Sequence, residues 1–314
     1  MLGLCIWGCG VGRISCAEDP ASTPAVINSQ IAKLNSEHLP NPVRIHEKVI
    51  SGGLPEGEAA FAELKDLGIQ TVISVDGAKP DLATAEKFGL RYVHLPHGYD
   101  GVPENRALEL AKAVRDLPGP IYIHCHHGKH RSPAAAAVAC VGAGLIEHDA
   151  AARILTVAGT SEAYRGLFQS VENAQRIEPA VLNAVSAKFP SIAKLPAMAE
   201  AMVEIEHIHD CLKSIEKAGW KTPADQPALI PDHEALLLRE QFTELLRSKE
   251  LSGKPAMFRQ LTVEAEAAAQ GLEDALKTGA DSQKLSKLLM SVGSNCKSCH
   301  QAFRDVPISE KAGK

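Results

Sequence analysis

The chain is poor in aromatic residues, which make up 4% of its 314 positions. That scarcity argues against a large β-sandwich and fits an Ala/Leu-rich helical portion. It also lacks a basic excess. The formal net charge is −5, which gives no reason to expect nucleic acid as a partner. No stretch reaches the ~20 consecutive apolar residues of a spanning helix, so no integral membrane span is expected. Cysteine is confined to a few places. Cys5, Cys9 and Cys16 lie near the N-terminus, Cys125 in a mid-chain loop, and Cys296 and Cys299 near the C-terminus. Cys140 and Cys211 remain, and both fall on helical stretches where cysteine serves as a small buried residue or, less often, in a disulfide.

Against these absences, 45% of the residues are apolar, enough for ordinary cores, and the length fits two domains. Residues 1–17 are apolar (Leu2, Leu4, Ile6, Trp7, Val11) and end Ser15-Cys16-Ala17, a small-x-small cleavage pattern. This predicts a signal peptide and a periplasmic or otherwise exported protein. Residues 18–42 are rich in Pro, Ser and Asn and read as a linker. From 43 to 189 short apolar runs (43–45, 49–50, 69–75, 90–95, 121–124) alternate with helical patterns (56–67, 82–88, 105–117, and several after 134). That alternation predicts an α/β domain with a parallel-type sheet and flanking helices. From 190 to 307 the strands stop. Four apolar stripes at helical spacing follow: Leu195 to Leu212, Leu238 to Leu245, Phe258 to Ala275, and Leu285 to Phe303. They predict an all-α four-helix bundle. Residues 308–314 read as a tail.

Chemistry concentrates in two motifs. The run Ile121-Tyr122-Ile123-His124-Cys125 is a strand ending in His-Cys, and Arg131-Ser132-Pro133 opens an alanine-rich helix. A loop between a strand and a helix N-terminus aims backbone N–H groups and the positive helix end at one point. His126, His127, Gly128, Lys129 and His130 would supply such groups to a phosphate dianion, and Arg131 a planar fork of donors. The same field favours the thiolate of Cys125, the nucleophilic form. Three other readings stay open: a buried structural cysteine, a rhodanese-type anion loop, and a metal site on the three loop histidines. The plainer reading of those histidines is that they point outward and add modest positive charge. The second motif, Cys296-Lys297-Ser298-Cys299-His300, has the spacing for covalent c-type haem attachment, with His300 placed to bind iron. A zinc-binding pair is the competing reading.

His-Cys-x-x-Gly-x-x-Arg-Ser, together with Ser51-Gly52-Gly53-Leu54-Pro55 and the Thr71-to-Val75 strand, resembles the protein-tyrosine and dual-specificity phosphatases over roughly 43–175. The resemblance implies that Cys125 is the nucleophile, that Arg131 binds phosphate, and that Ser132 assists the thiolate as leaving group. It implies a general acid on an upstream loop, for which Asp100 is the match and Asp76 the runner-up. The substrate would be a phosphorylated protein or a small phosphomonoester. The C-terminal motif, with Phe303-Arg304 after it and four amphipathic helices around it, resembles cytochrome c′ over roughly 190–305. That implies one covalent haem c on Cys296 and Cys299, His300 as proximal ligand, and a distal residue from the first bundle helix. Met202 is the candidate distal ligand; an apolar blocker there would leave the iron open to small gases. The chain thus reads as an exported cysteine phosphatase carrying a haem for electron transfer or gas sensing, with a periplasmic redox partner. The alternative is an electron-transfer or gas-sensing cytochrome whose phosphatase-like domain only binds phosphate.

Overall fold

The computed structural model describes residue 1 and residues 31–311. The expected signal peptide and the first part of the expected linker lie outside the described residues. The N-terminal half is a six-stranded mixed sheet with flanking helices. Its strands are β1 (Ala32–Lys33), β2 (Val43–His46), β3 (Val49–Gly52), β4 (Thr71–Ser74), β5 (Arg91–His94) and β6 (Ile121–His124), in the order β1-β2-β3-β6-β4-β5. β3, β6, β4 and β5 run parallel, and a helix lies in each of the connections from β3 to β4, β4 to β5 and β5 to β6. β1 and β2 run antiparallel at one edge. The sheet is therefore mixed rather than wholly parallel, because only Glu47 and Lys48 separate β2 from β3, and so short a link permits only a hairpin. β1 falls in the stretch read as a linker. Ile31 and Leu39 are buried there, so its few apolar residues tie the segment to the sheet.

The register explains where the site forms. Gly52 and Ser74 both pair with His124, and His94 pairs with Ser74. Four strands thus end at one level, and the segments after them emerge on one edge, where open sheets hold ligands. The helices are α1 (Gly57–Asp66), α2 (Leu82–Lys87), α3 (Glu104–Asp116), α4 (Arg131–Gly142), α5 (His148–Ala158), α6 (Arg165–Glu172) and α7 (Pro179–Ala184). Every residue of α4 is buried. Its run of alanines lets the helix lie close against the sheet, which fixes its N-terminus at the end of β6.

The C-terminal region is helical: α8 (Ala197–Lys217), α9 (Pro231–Arg247), the short α10 (Lys249–Ser252), α11 (Ala256–Lys277) and α12 (Ser282–Cys299). A π-helical turn over His300–Arg304 and a last short helix, α13 (Ile308–Lys311), follow. Ile205, Ile208, Leu212, Leu238, Phe242, Ala269, Leu272, Leu285, Leu289 and Val292 share one core. Between Ile205 and Leu212 on α8 the buried position is Ile208, and between Ala265 and Leu272 on α11 it is Ala269. Steps of three then four and of four then three both fit a 3.6-residue turn, so periodicity alone leaves these positions open. Trp220 Nε1 donates to Ser286 Oγ at 3.2 Å, and His209 Nε2 lies 3.8 Å from where a Cβ on Gly293 would sit. Moving up α8 moves down α12, so the two helices are antiparallel.

Candidate active site and haem-attachment motif

Cys125 follows β6 directly and is 2% exposed. Its Sγ lies 3.3 Å from Ser132 Oγ on the first turn of α4. Ser132 Oγ donates to the Gly52 carbonyl at 2.9 Å. One hydroxyl proton therefore has two acceptors within reach, the carbonyl and the sulfur, and it can turn to whichever carries more charge. Arg131, beside it, is buried, and its guanidinium stacks 4.5 Å from the centroid of the Tyr99 ring. Burial opposes its charge, but Tyr99, Cys125, Asp76 and Glu206 favour it and leave the guanidinium's pKa raised. Its Nε is buried with no hydrogen-bond partner among the described residues. Buried donors are ordinarily paired, so an unpaired guanidinium nitrogen beside a cysteine at a helix N-terminus is a donor suited to an oxyanion.

The loop is held from below by the Gly52-Gly53-Leu54 turn. Leu54 N donates to His126 O at 3.0 Å, and Gly53 N to Pro40 O at 2.7 Å. Asn41 Nδ2 donates to Gly128 O and to Ala158 O, both at 2.9 Å. Gly128 has φ +69°, and a Cβ on it would overlap the backbone of Gly52 and Gly53. Only glycine allows the loop to curl this closely over the turn. Gly128→Ala is expected to cost about 1–3 kcal/mol from backbone strain alone and to abolish oxyanion binding by forcing the loop open. The denaturation midpoint and vanadate affinity report the two effects; a variant that keeps both would show that the curl is dispensable.

Two of the loop histidines, His127 and His130, are held away from the positive charge expected of them. His130 is pushed down to about 4, first by burial and then by its neighbours His127, Lys129, Arg131 and Arg304. His127 is lowered by burial and by His126, partly offset by Glu206 and Asp210. Burial thus favours the neutral form of both imidazoles, and Arg131, Lys129 and the backbone amides supply positive field to the loop. No group of three or more His, Cys, Asp or Glu side chains among the described residues is arranged to hold a metal ion. Behind the loop, His124 Nε2 and Tyr92 OH meet at 2.6 Å, and burial holds the imidazole pKa near 4. This buried pair braces the strand end.

The two acid candidates are placed differently. Asp76, after β4, is 2% exposed. Its Oδ1 accepts from Ala78 N at 2.9 Å and Ser74 Oγ at 3.3 Å, while its Oδ2 is buried without a partner among the described residues. Asp100 lies on the loop after β5, next to Tyr99. Its Oδ2 is paired with Lys311 Nζ at 2.9 Å, and its carbonyl accepts from Ile308 N at 3.0 Å. The structure thus brings Cys125, Ser132, Arg131 and the amides of 126–130 into one loop, sets Asp76 in its wall, and holds Asp100 in an ion pair with the end of the chain.

In the haem motif, Cys296 and Cys299 are free thiols on the last turns of α12, and Cys296 packs against the bundle core. His300 begins the π-turn, with its pKa pushed down to about 4 by burial and by Arg304. A neutral imidazole one residue beyond a thiol pair on one helix suits a haem held by two thioethers and an axial nitrogen. The antiparallel register also sets a residue of α8 opposite His300. Seven residues back from His209 is Met202, and seven on from Gly293 is His300, so Met202 stands at the level of His300. It is partly buried against the same core, where it has the flexible thioether a distal ligand needs.

The C-terminal part of this arrangement has a family counterpart. Residues 248–304 match the family model of cytochrome C′. No curated protein is significantly similar to the chain. Among solved structures, the chain is similar to TpbA of P. aeruginosa, at 22% identity and a TM-score of 0.41, over 51% of this chain and 99% of that one. A complex of a TpbA variant with pTyr is similar at 21% identity and 0.40, with the same coverage. The core catalytic domain of the PP-IP phosphatase SIW14 from S. cerevisiae, in complex with citrate, is similar at 14% and 0.40, over 49% of this chain and 94% of that one. These neighbours, of which the SIW14 domain is that of a phosphatase, overlie the N-terminal half.

Several residues of the site carry no signal in the sequence motifs. Asn41 and Pro40 come from the stretch read as a linker, and Glu206 from a bundle helix. Tyr99 adjoins Asp100 but belongs to no motif. Lys311 lies beyond the C-terminal motif, and Arg304, which follows that motif, carries no sign there of its place on Tyr99.

Proposed function

We propose that the chain is an exported cysteine-type phosphomonoesterase with one covalently attached c-type haem. The observation that carries the phosphatase reading is the grouping of Cys125 Sγ, Ser132 Oγ and the unpartnered Arg131 Nε at the buried start of α4. Phosphate would lie on the amides of 126–131 with Arg131 across two of its oxygens. The Cys125 thiolate attacks phosphorus: an S–P bond forms, the P–O bond to the leaving group breaks, and Asp100 passes a proton to the departing oxygen. Water then attacks phosphorus and gives a proton back to Asp100. The S–P bond breaks, the Ser132 hydroxyl turns from the Gly52 carbonyl to the sulfur, and phosphate leaves. A cleft of about 370 Å³, lined in part by Asn41, Glu56, His126, His127 and Lys129, adjoins the loop but includes neither Cys125 nor Arg131 in its lining. Haem on Cys296 and Cys299, with His300 on the iron and Met202 facing it, would supply one-electron chemistry or a site for a small gas.

One observation favours the second reading, a cytochrome with a non-catalytic phosphate-binding module: the Asp100 carboxylate is already engaged by Lys311. The two readings part on the acid. Under the enzyme reading, Asp100→Asn lowers turnover of phosphotyrosine by about 10²–10⁴-fold. It lowers that of p-nitrophenyl phosphate far less, because p-nitrophenolate departs without a proton. A wild-type chain that binds phosphate yet turns over neither substrate would establish the second reading. Loss with Asp76→Asn instead of Asp100→Asn would move the acid to the wall of the loop.

A further inference from the structure

We propose that the phosphatase site is composite: Arg304, delivered by the turn that follows the haem-attachment motif, is a positioning residue for Tyr99 and, through it, for Arg131. The inference rests on Arg131 being the phosphate fork. The Arg304 guanidinium lies 4.2 Å from the centroid of the Tyr99 ring, and Arg131 lies 4.5 Å from the same centroid. Tyr99 also packs on Tyr164, at 4.8 Å between centroids. Arg131 Nε has no hydrogen-bond partner among the described residues, so the plane of its fork is set by the ring it lies on. A guanidinium that must meet two phosphate oxygens at once depends on that plane. The ring in turn is held by Tyr164 and by Arg304.

The placement of Arg304 is built rather than incidental. Its Nε is fixed by Asp305 Oδ1 at 2.7 Å. Lys311 Nζ reaches both Arg304 O, at 3.3 Å, and Asp100 Oδ2, at 2.9 Å. Ile308 N donates to Asp100 O at 3.0 Å. Glu310 takes both terminal nitrogens of Arg165, at 2.7 and 3.0 Å, and Ser309 Oγ donates to Gln169 Oε1 at 2.9 Å. The contacts close a circuit from Arg131 through Tyr99, Arg304 and Lys311 to Asp100, which adjoins Tyr99 in sequence. The end of the bundle therefore grips the loop that carries the candidate acid, and it places a cation on the ring beside the phosphate fork. A cation over an aromatic face is attractive and directional, so Arg304 fixes Tyr99 without touching substrate.

The test is a cycle on the full chain, produced with a haem-attachment system, using inorganic vanadate and p-nitrophenyl phosphate as probes. Arg304→Gln is expected to weaken vanadate binding and raise KM by about threefold to tenfold, with kcat within about twofold. Tyr99→Leu should give a similar loss, and the double variant no more than the single ones. Arg304→Lys, which keeps the cation, should restore most of the affinity. An unchanged KM in Arg304→Gln, a loss confined to kcat, additive losses, or no rescue by lysine would each overturn the proposal. Arg131→Lys separates this failure from that of the underlying reading. If it binds vanadate as the wild type does, Arg131 is not the fork and both fall. If it loses vanadate while Arg304→Gln does not, only the composite site falls.

Discussion

Cys125→Ser is expected to abolish hydrolysis of aryl phosphates while leaving the binding of phosphate or vanadate within a few-fold of the wild type. The sulfur is the group that bonds to phosphorus, so an oxygen at the same place, protonated at neutral pH, removes the attack. The binding groups are separate from it. Arg131 keeps its stack on Tyr99, and Gly128 keeps the curl that points the amides inward. Serine is smaller than cysteine but fits the same pocket and can meet Ser132 Oγ by a hydrogen bond. Initial rates and a vanadate titration on the same preparation check both halves. Residual turnover well above background would remove the phosphocysteine route, and lost binding would mean that the sulfur, rather than the loop, holds the anion.

The second large effect lies at the other end of the chain. Wild-type protein made with a haem-attachment system should carry one haem that resists acid-acetone extraction. Replacing Cys296 and Cys299 together by alanine should leave none covalently bound. Each thiol sits on the last turns of α12 with His300 beyond them, and a thioether at either position fixes the ring against the bundle. The single variants should retain a haem held by one bond, with an altered spectrum. Zinc in place of a Soret band would refute the haem reading.

What could be read from the sequence follows from how far apart the cooperating residues lie. The Cys125-to-Ser132 loop is contiguous, so its chemistry and its place between a strand and a helix were visible in one line of sequence. The haem motif is contiguous too, and its helical setting showed in the apolar stripe of α12. The alternation of strand and helix carries the parallel strands, whereas the antiparallel edge depends on the two-residue link between β2 and β3 and on a β1 too short to show a pattern. The acid stayed ambiguous for a structural reason: β4 and β5 end level with β6, so Asp76 and Asp100 both leave the sheet on the edge that holds the loop. Neutral histidines were illegible, because their titration depends on burial and on cations such as Arg304 that are remote in sequence. Arg304 and Lys311 at the acid loop were illegible for the same reason. No periodicity links position 100 to position 311, and only the packing of the bundle's end against the sheet's ligand edge joins them.

One polypeptide is expected both to form a phosphocysteine at Cys125 and to hold haem on Cys296 and Cys299. Rapid acid quench of the wild-type chain, made with a haem-attachment system, during turnover of an aryl phosphate, followed by intact-mass and peptide mass spectrometry, tests both at once. The expected result is a single population bearing the mass of one haem, with one added phosphoryl group, located on Cys125, during turnover and absent from Cys125→Ser. Turnover with no phosphoryl group on Cys125, or a chain that carries the phosphoryl group but never the haem, would contradict it.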